Sequence, residues 1–250
     1  MTVIFASLLL LLQPALCAGQ ANLYTKKMLL EDFTNCTTKI ILSGDSPLEL
    51  AVKGEVASRW HLSPYEFSTV EEYNKLVTNN SFYFLRLVAE DGVAFLQLSK
   101  GGKEDDADRK KRPLEVVRLP ISLDGMMTGD EAIYMGAYLD IIQNFTEQAM
   151  ESDRVAYAGL SNYNLKSLQG KTVYLNDMKA NEAFQSEEAG AVVPVLIVPV
   201  NGATYYKMLI AADTHELLYF SSGKINKNRQ GEFSKAEISQ LTRRHAVVVE

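Results

Sequence analysis

Residues 81–88, Ser-Phe-Tyr-Phe-Leu-Arg-Leu-Val, carry aromatic and aliphatic side chains on both alternating faces, the pattern of a central strand. Asp91-Gly92 follows, and Gly accepts the positive φ of a tight hairpin, so Val-Ala-Phe-Leu-Gln-Leu-Ser (93–99) returns as the next strand. Upstream, residues 39–42 (Lys-Ile-Ile-Leu) read as a short strand that feeds a helix. Ser46 suits its N-cap, Pro47 its first turn, and Glu49 the reciprocal capping position. Leu48, Val52, Val56, Ala57 and Trp60 then recur at helical spacing as one apolar stripe. Residues 64–67 are extended, and Thr69 with Glu72 repeats the capping spacing. A second helix follows, with Val70, Tyr73, Leu76 and Val77 as its inner face. The first half is therefore β-α-β-α-β-β.

Residues 99–113 bury almost nothing and read as a charged linker, with basic and acidic side chains offsetting each other. Beyond it, 114–119 is a strand, and Thr128 with Glu131 opens a long helix whose inner face carries Ile133, Ala137, Ile141, Phe145 and Ala149. A strand at 171–175 precedes a three-stranded meander. Its first strand holds Pro194 and Pro199, which place it at an edge or beside a bulge because proline lacks the ladder donor. Asn201-Gly202 and residues 213–216 supply the turns, and Ser234 with Glu237 caps a last helix. The fold class is α/β to α+β, with mixed sheets, flanking helices and two sub-domains, 20–98 and 114–250. Lys-Ile-Ile-Leu-Ser-Gly-Asp (39–45) and Lys-Thr-Val-Tyr-Leu-Asn-Asp (171–177) echo each other, which either a degenerate duplication or chance would explain.

The 250 residues hold 25 Lys+Arg against 31 Asp+Glu, a formal charge of −6, which excludes nucleic-acid binding by phosphate neutralisation. Two Cys make neither a disulfide framework nor a Cys-rich zinc site. Residues 3–12, Val-Ile-Phe-Ala-Ser followed by five Leu, are too few to span a bilayer but match a signal-peptide core. The expected signal peptide is 1–19, leaving Gln20 first, although cleavage after Cys17 or Ala18 also fits and no basic residue precedes the apolar run. A lipid anchor on Cys17 fits less well, because Pro14 and Leu16 occupy the positions of its recognition box. Export to a periplasmic or extracellular space follows, with no membrane span left after cleavage. Sequons begin at Asn35, Asn79 and Asn144.

Three patterns touch chemistry. Gly44-Asp45-Ser46 after a strand resembles the first block of GDSL-type esterases, which implies Ser46 as nucleophile with Asp45 beside it. The partner block would be Asp213-Thr214-His215, one residue short of Asp-x-x-His and in a predicted hairpin turn, and a helix N-cap with Pro47 and Glu49 in their preferred places explains the same residues completely. Residues 226–237 follow the spacing of a calcium loop, with Asn226, Asn228, Gln230 and Glu237 as candidate ligands. Only Glu237 is charged, and Lys227 and Arg229 oppose a cation. His215-Glu216 with Tyr219 only mimics a zinc motif, since Tyr219 stands where the second His belongs. No Walker loop or Gly-rich dinucleotide fingerprint occurs, so no cofactor is expected.

The segments 63–67, 83–88, 171–177 and 205–220 resemble an uncharacterised group of exported proteins of Gram-negative anaerobes, a resemblance that implies no activity. The first-half order is similar to periplasmic adaptor modules such as the TolB N-terminal domain. The expectation is an exported module that binds a protein or envelope component, with an esterase using Ser46 as the alternative.

Overall fold

The computed structural model describes residues 25–102, 113–124, 129–165, 168–200, 203–225, 233–241 and 246–249. The signal segment, Cys17, most of the charged linker, Thr128, the Asn201-Gly202 turn and Asn226, Asn228 and Gln230 lie outside these residues.

After a short helix α1 (Lys26–Leu30), the expected elements form in the expected order: β1 (Thr37–Leu42), α2 (Pro47–Arg59), β2 (Tyr65–Thr69), α3 (Val70–Leu76), β3 (Phe82–Glu90) and β4 (Val93–Lys100). The Ser46 hydroxyl accepts the Glu49 N–H, and the Thr69 hydroxyl that of Glu72, so both helices start where their caps predict. Asp91 and Gly92 both have positive φ, 51° and 77°, as a two-residue hairpin turn requires. Leu48, Val52, Val56 and Trp60 are buried as expected, whereas Ala57 is exposed. The α3 face is a correction: none of its side chains is fully buried, and Val70 is exposed. Tyr73 instead lays its ring edge-on against Phe84, 5.1 Å away.

β5 (Leu114–Leu123) pairs antiparallel with β4, giving a first sheet in the order β2-β1-β3-β4-β5. Residues 99–113, expected to divide the chain, thus join neighbouring strands of one sheet, and Ser99 and Lys100 are the end of β4. Strand 114–123 belongs with the first half because its partner lies there.

The second half runs α4 (Asp130–Glu151), α5 (Asp153–Ala158), a 3-10 segment (Gly159–Leu165), β6 (Thr172–Tyr174), α6 (Asp177–Gln185), β7 (Ala191–Ile197), β8 (Thr204–Ala211), β9 (Leu217–Lys224), α7 (Lys235–Leu241) and β10 (Val247–Val249). Gly129, at φ 97°, is the N-cap of α4, and Glu131 reaches back to accept its N–H at 3.0 Å. The second sheet has the order β10-β6-β7-β8-β9.

Both sheets follow one plan. Each has, from one edge, two parallel pairings and then two antiparallel ones. β1 and β6 occupy the same place, and each is followed by a helix with a side-chain cap, Ser46 or Asn176. The outer parallel strand differs in origin: β2 is threaded between β1 and β3, whereas β10 arrives at the end of the chain.

One apolar cluster runs through both halves, and α4 lies at its centre with Tyr138, Ile141, Ile142 and Phe145 almost wholly buried. Each such side chain stabilises the fold by about 2 kcal/mol. Ala180, Ala183 and Phe184 of α6 join this cluster from one face of the second sheet. Ile238 of α7 packs with Val173, Val192, Leu209 and Leu218 on the opposite face. β6 therefore sits between connections that run over opposite faces, the position at which open α/β sheets leave a crevice beyond the carboxyl ends of their strands.

Candidate functional site

The geometry of that crevice follows from the shortness of β6. Its register with β7 covers only Thr172↔Ala191 and Val173↔Val192. At residue 175 the chain stays with β10, since the Leu175 N–H bonds the Val249 carbonyl at 2.7 Å, and then turns into α6. A wedge opens between the start of α6 and the second part of β7. The Ala191 carbonyl accepts from Ala212, the residue just past β8, so by strand alternation residues 193, 195 and 197 bond toward β8, and 194 and 196 face the wedge. Pro194 is thus not on an edge strand in the sheet order. Its missing N–H falls on the stretch of β7 that β6 does not reach, which is the local form of the same rule.

The wedge is a cavity of about 480 Å³. β7 lines it from Pro194 to Ile197, α6 with Asp177, Ala180 and Asn181, α4 with Glu131, Tyr134 and Tyr138, and Phe233 closes the α7 side. The remaining wall is the end of β5, where the register shifts between Ala94 and Phe95 so that Pro120 and Ser122 face neighbouring partners and Ile121 is the extra residue. Tyr138 donates to the Ile121 carbonyl at 3.5 Å, and Tyr134 to the Asn181 side-chain oxygen at 2.5 Å. Hydrogen-bonded phenols thus hold both helices to the rim. Glu131 and Asp177 are the charged side chains of the described lining, one buried and one exposed at the mouth. Apolar walls with a few placed polar groups are the composition of a ligand pocket.

Sequence reasoning marked none of these residues as a site. Pro194 inside an apolar strand was the available signal, because it announces a stretch without a ladder partner.

The expected site residues lie elsewhere. Ser46 donates to Glu49 Oε2 at 2.9 Å, and Asp45 is exposed beside it. His61 follows the far end of α2, whose 13 residues span about 20 Å. His215 is held at that far end too, through Asp140, which binds Arg59. Neither imidazole can serve Ser46 as a base, so the structure gives the esterase pairing no geometry. Burial pushes the Glu49 carboxyl upward, but hydrogen bonds from Ser43 and Ser46 outweigh it and hold the group below its ordinary value.

His215 bonds Asp140 rather than Asp213, at 2.7 Å, and stacks on Phe184 with ring centres 5.2 Å apart. No hydroxyl or thiol bonds its ring among the described residues, so the pair fastens the β8–β9 turn to α4 and supplies no nucleophile. Glu237, the one charged member of the calcium pattern, gives both oxygens to Lys207 at 2.9 and 2.7 Å. A carboxylate neutralised by a buried ammonium is a poor cation ligand. No group of three or more potential metal ligands occurs among the described residues. None of the described helices is long and apolar enough to cross a membrane.

No protein-family model, curated protein or solved structure matches the chain.

Proposed function

We propose that the chain is an exported binding protein whose ligand occupies the wedge between α6 and β7. The observation that carries this reading is the cavity itself. It lies at the carboxyl ends of β5, β6 and β7, is walled by apolar side chains, and offers acceptors and phenols without a nucleophile and base in contact among its described lining residues. Export rests on the apolar run at residues 3–12 and the small residues after it.

Methyl-detected NMR on the full chain, titrated with a library of neutral, cationic and anionic fragments, tests the binding reading. Fragments are expected to shift Ile121, Val195, Leu196 and Ile197 together. A library without effect on those methyls would sink the proposal. N-terminal sequencing of the protein recovered from an expressing Gram-negative host is expected to start at Gln20, and an intact Met1 in all fractions would remove the export component.

A further inference from the structure

We infer that the outer edge of β2 pairs with the β2 edge of a second copy of this chain, joining two first sheets across a two-fold axis; the inference is independent of the wedge.

The two sheets have four edges, β2, β5, β9 and β10. β5 and β9 each run beside the 3-10 segment, and β10 is three residues long. β2 presents its backbone. The Thr38 N–H bonds the Pro64 carbonyl at 2.8 Å, and the parallel register from Thr38↔Tyr65 to Leu42↔Thr69 turns Glu66 and Ser68 toward β1. The N–H and C=O of Tyr65 and Phe67 and the N–H of Thr69 therefore point away from the sheet, and no described residue bonds them. The Thr69 carbonyl belongs to α3, whose N-cap it is. Apolar side chains surround this edge: Phe67 is 39% exposed, Val70 39% and Leu50 51%. Unpaired backbone with exposed apolar flanks is a template for another strand.

The free groups complement themselves. A second β2 laid antiparallel with Phe67 opposite Phe67 makes two bonds at that pair, and at each end the Tyr65 carbonyl meets a Thr69 N–H. The outward row of Tyr65, Phe67 and Thr69 carries no charge. The exposed acids Asp45 and Glu71 stand at the Thr69 end, so this pairing keeps those of the two copies apart and sets them toward the end where His61 is exposed.

Size sets the strength. Ser68 bonds Glu72 of α3 on one face of β2, and Phe67 meets Lys53 of α2 on the other, with Nζ 5.9 Å from the ring centre. The side wall is thus three layers high, about 30 Å by 17 Å. About 500 Å² per copy is below the roughly 800 Å² per partner of a standard stable complex and fits a reversible dimer. The two Lys53 ammoniums near the axis weaken it further.

Sedimentation equilibrium of the full chain tests this. The weight-average mass is expected to rise from one copy at about 1 µM toward two at about 1 mM. Phe67→Pro, which removes an N–H that β1 does not use, is expected to stay at one copy throughout. If that variant unfolds, cross-linking carries the test. With Cys17 and Cys36 replaced by Ser, Phe67→Cys faces its own copy at a Cα separation of about 5.5 Å, within disulfide reach. Glu66→Cys instead faces the partner's Ser68. In a glutathione buffer Phe67→Cys is expected to form disulfide dimers at least about tenfold faster than Glu66→Cys. A single-copy mass at about 1 mM would overturn the inference. Equal cross-linking at the two positions would overturn it too, as would a dimer that survives in folded Phe67→Pro. A wild-type chain that stays monomeric while its Phe67 amide shifts with an added β-strand peptide would refute the second copy in favour of a foreign strand.

Discussion

The Nδ1 of His215 and the Oδ2 of Asp140 meet at 2.7 Å, joining the β8–β9 turn to the middle of α4. The same oxygen takes Arg59 from the end of α2 at 3.2 Å, and Gln143 one turn on accepts the His61 N–H at 2.9 Å. α4 thus carries a polar seam that ties the last turn of α2 and a hairpin of the second sheet to one helix. His215 holds φ at 55°, a conformation a β-branched residue would resist, and its side chain is nevertheless buried.

Replacing Asp140 leaves two cationic or donor groups facing a gap. Asp140→Ala is expected to cost about 2 kcal/mol in urea unfolding at neutral pH, and Asp140→Asn, which keeps an acceptor, roughly half of that. A change within about 0.3 kcal/mol for both variants would show that the seam is decorative.

Glu49 provides the pH test. Its Oε1 accepts the Ser43 N–H at 2.5 Å and the Ser43 hydroxyl at 2.7 Å, and these bonds hold its carboxyl below the ordinary value despite burial. A carboxyl depressed in the folded state stabilises it above the unfolded-state pKa of about 4.3, and that contribution is lost as pH falls through the folded value. The wild type should therefore lose stability more steeply than Glu49→Gln below about pH 4, while the variant starts about 1–2 kcal/mol lower at pH 7. Parallel stability curves for the two proteins between about pH 5 and 2.5 would contradict this.

What was legible in the sequence was local. Ser46, Thr69 and the Asp91-Gly92 turn act on the next few residues, and each works as its chemistry dictates. The partner of β5 was not legible, because pairing across a long connection leaves no mark near either strand. α6 escaped because only Ala180, Ala183 and Phe184 of its nine residues are buried, too few to set a helical period. β10 is three residues long, with an exposed Val247. The cavity is less legible still, since five separate segments and the absence of a longer β6 create it. Only Pro194 spoke for it, and a proline says where a donor is not needed, not what stands there instead.

Cys36 is half-buried, and burial together with the Asp32 carboxylate pushes its thiol up, against an opposing pull from Lys100. Because the thiolate is the nucleophile, iodoacetamide at about pH 8 is expected to alkylate Cys36 several-fold more slowly than free glutathione. Peptide mapping separates this residue from Cys17. Asp32→Asn, which removes the negative charge, should speed the reaction, and a slower variant would reverse the assigned cause.

Two glycines in the first half should respond oppositely to alanine. A Cβ on Gly101 would lie 1.9 Å from the Asn79 carbonyl oxygen, where the chain leaving β4 crosses the turn before β3. That contact is backbone on backbone, and the strands are further tied there by the Gly101 N–H to Phe82 and the Gly102 N–H to Val77. Neither side can yield without breaking these bonds, so Gly101→Ala is expected to cost about 3 kcal/mol. Gly54 lies inside α2 with nothing within 4 Å of its would-be Cβ. There alanine only removes the entropy that glycine loses in a helix, and Gly54→Ala is expected to gain about 0.5–1 kcal/mol. Urea unfolding of both variants checks the pair. A Gly101→Ala protein as stable as the wild type would mean that the β4 exit and the β3 entry do not approach as closely as the structure has them.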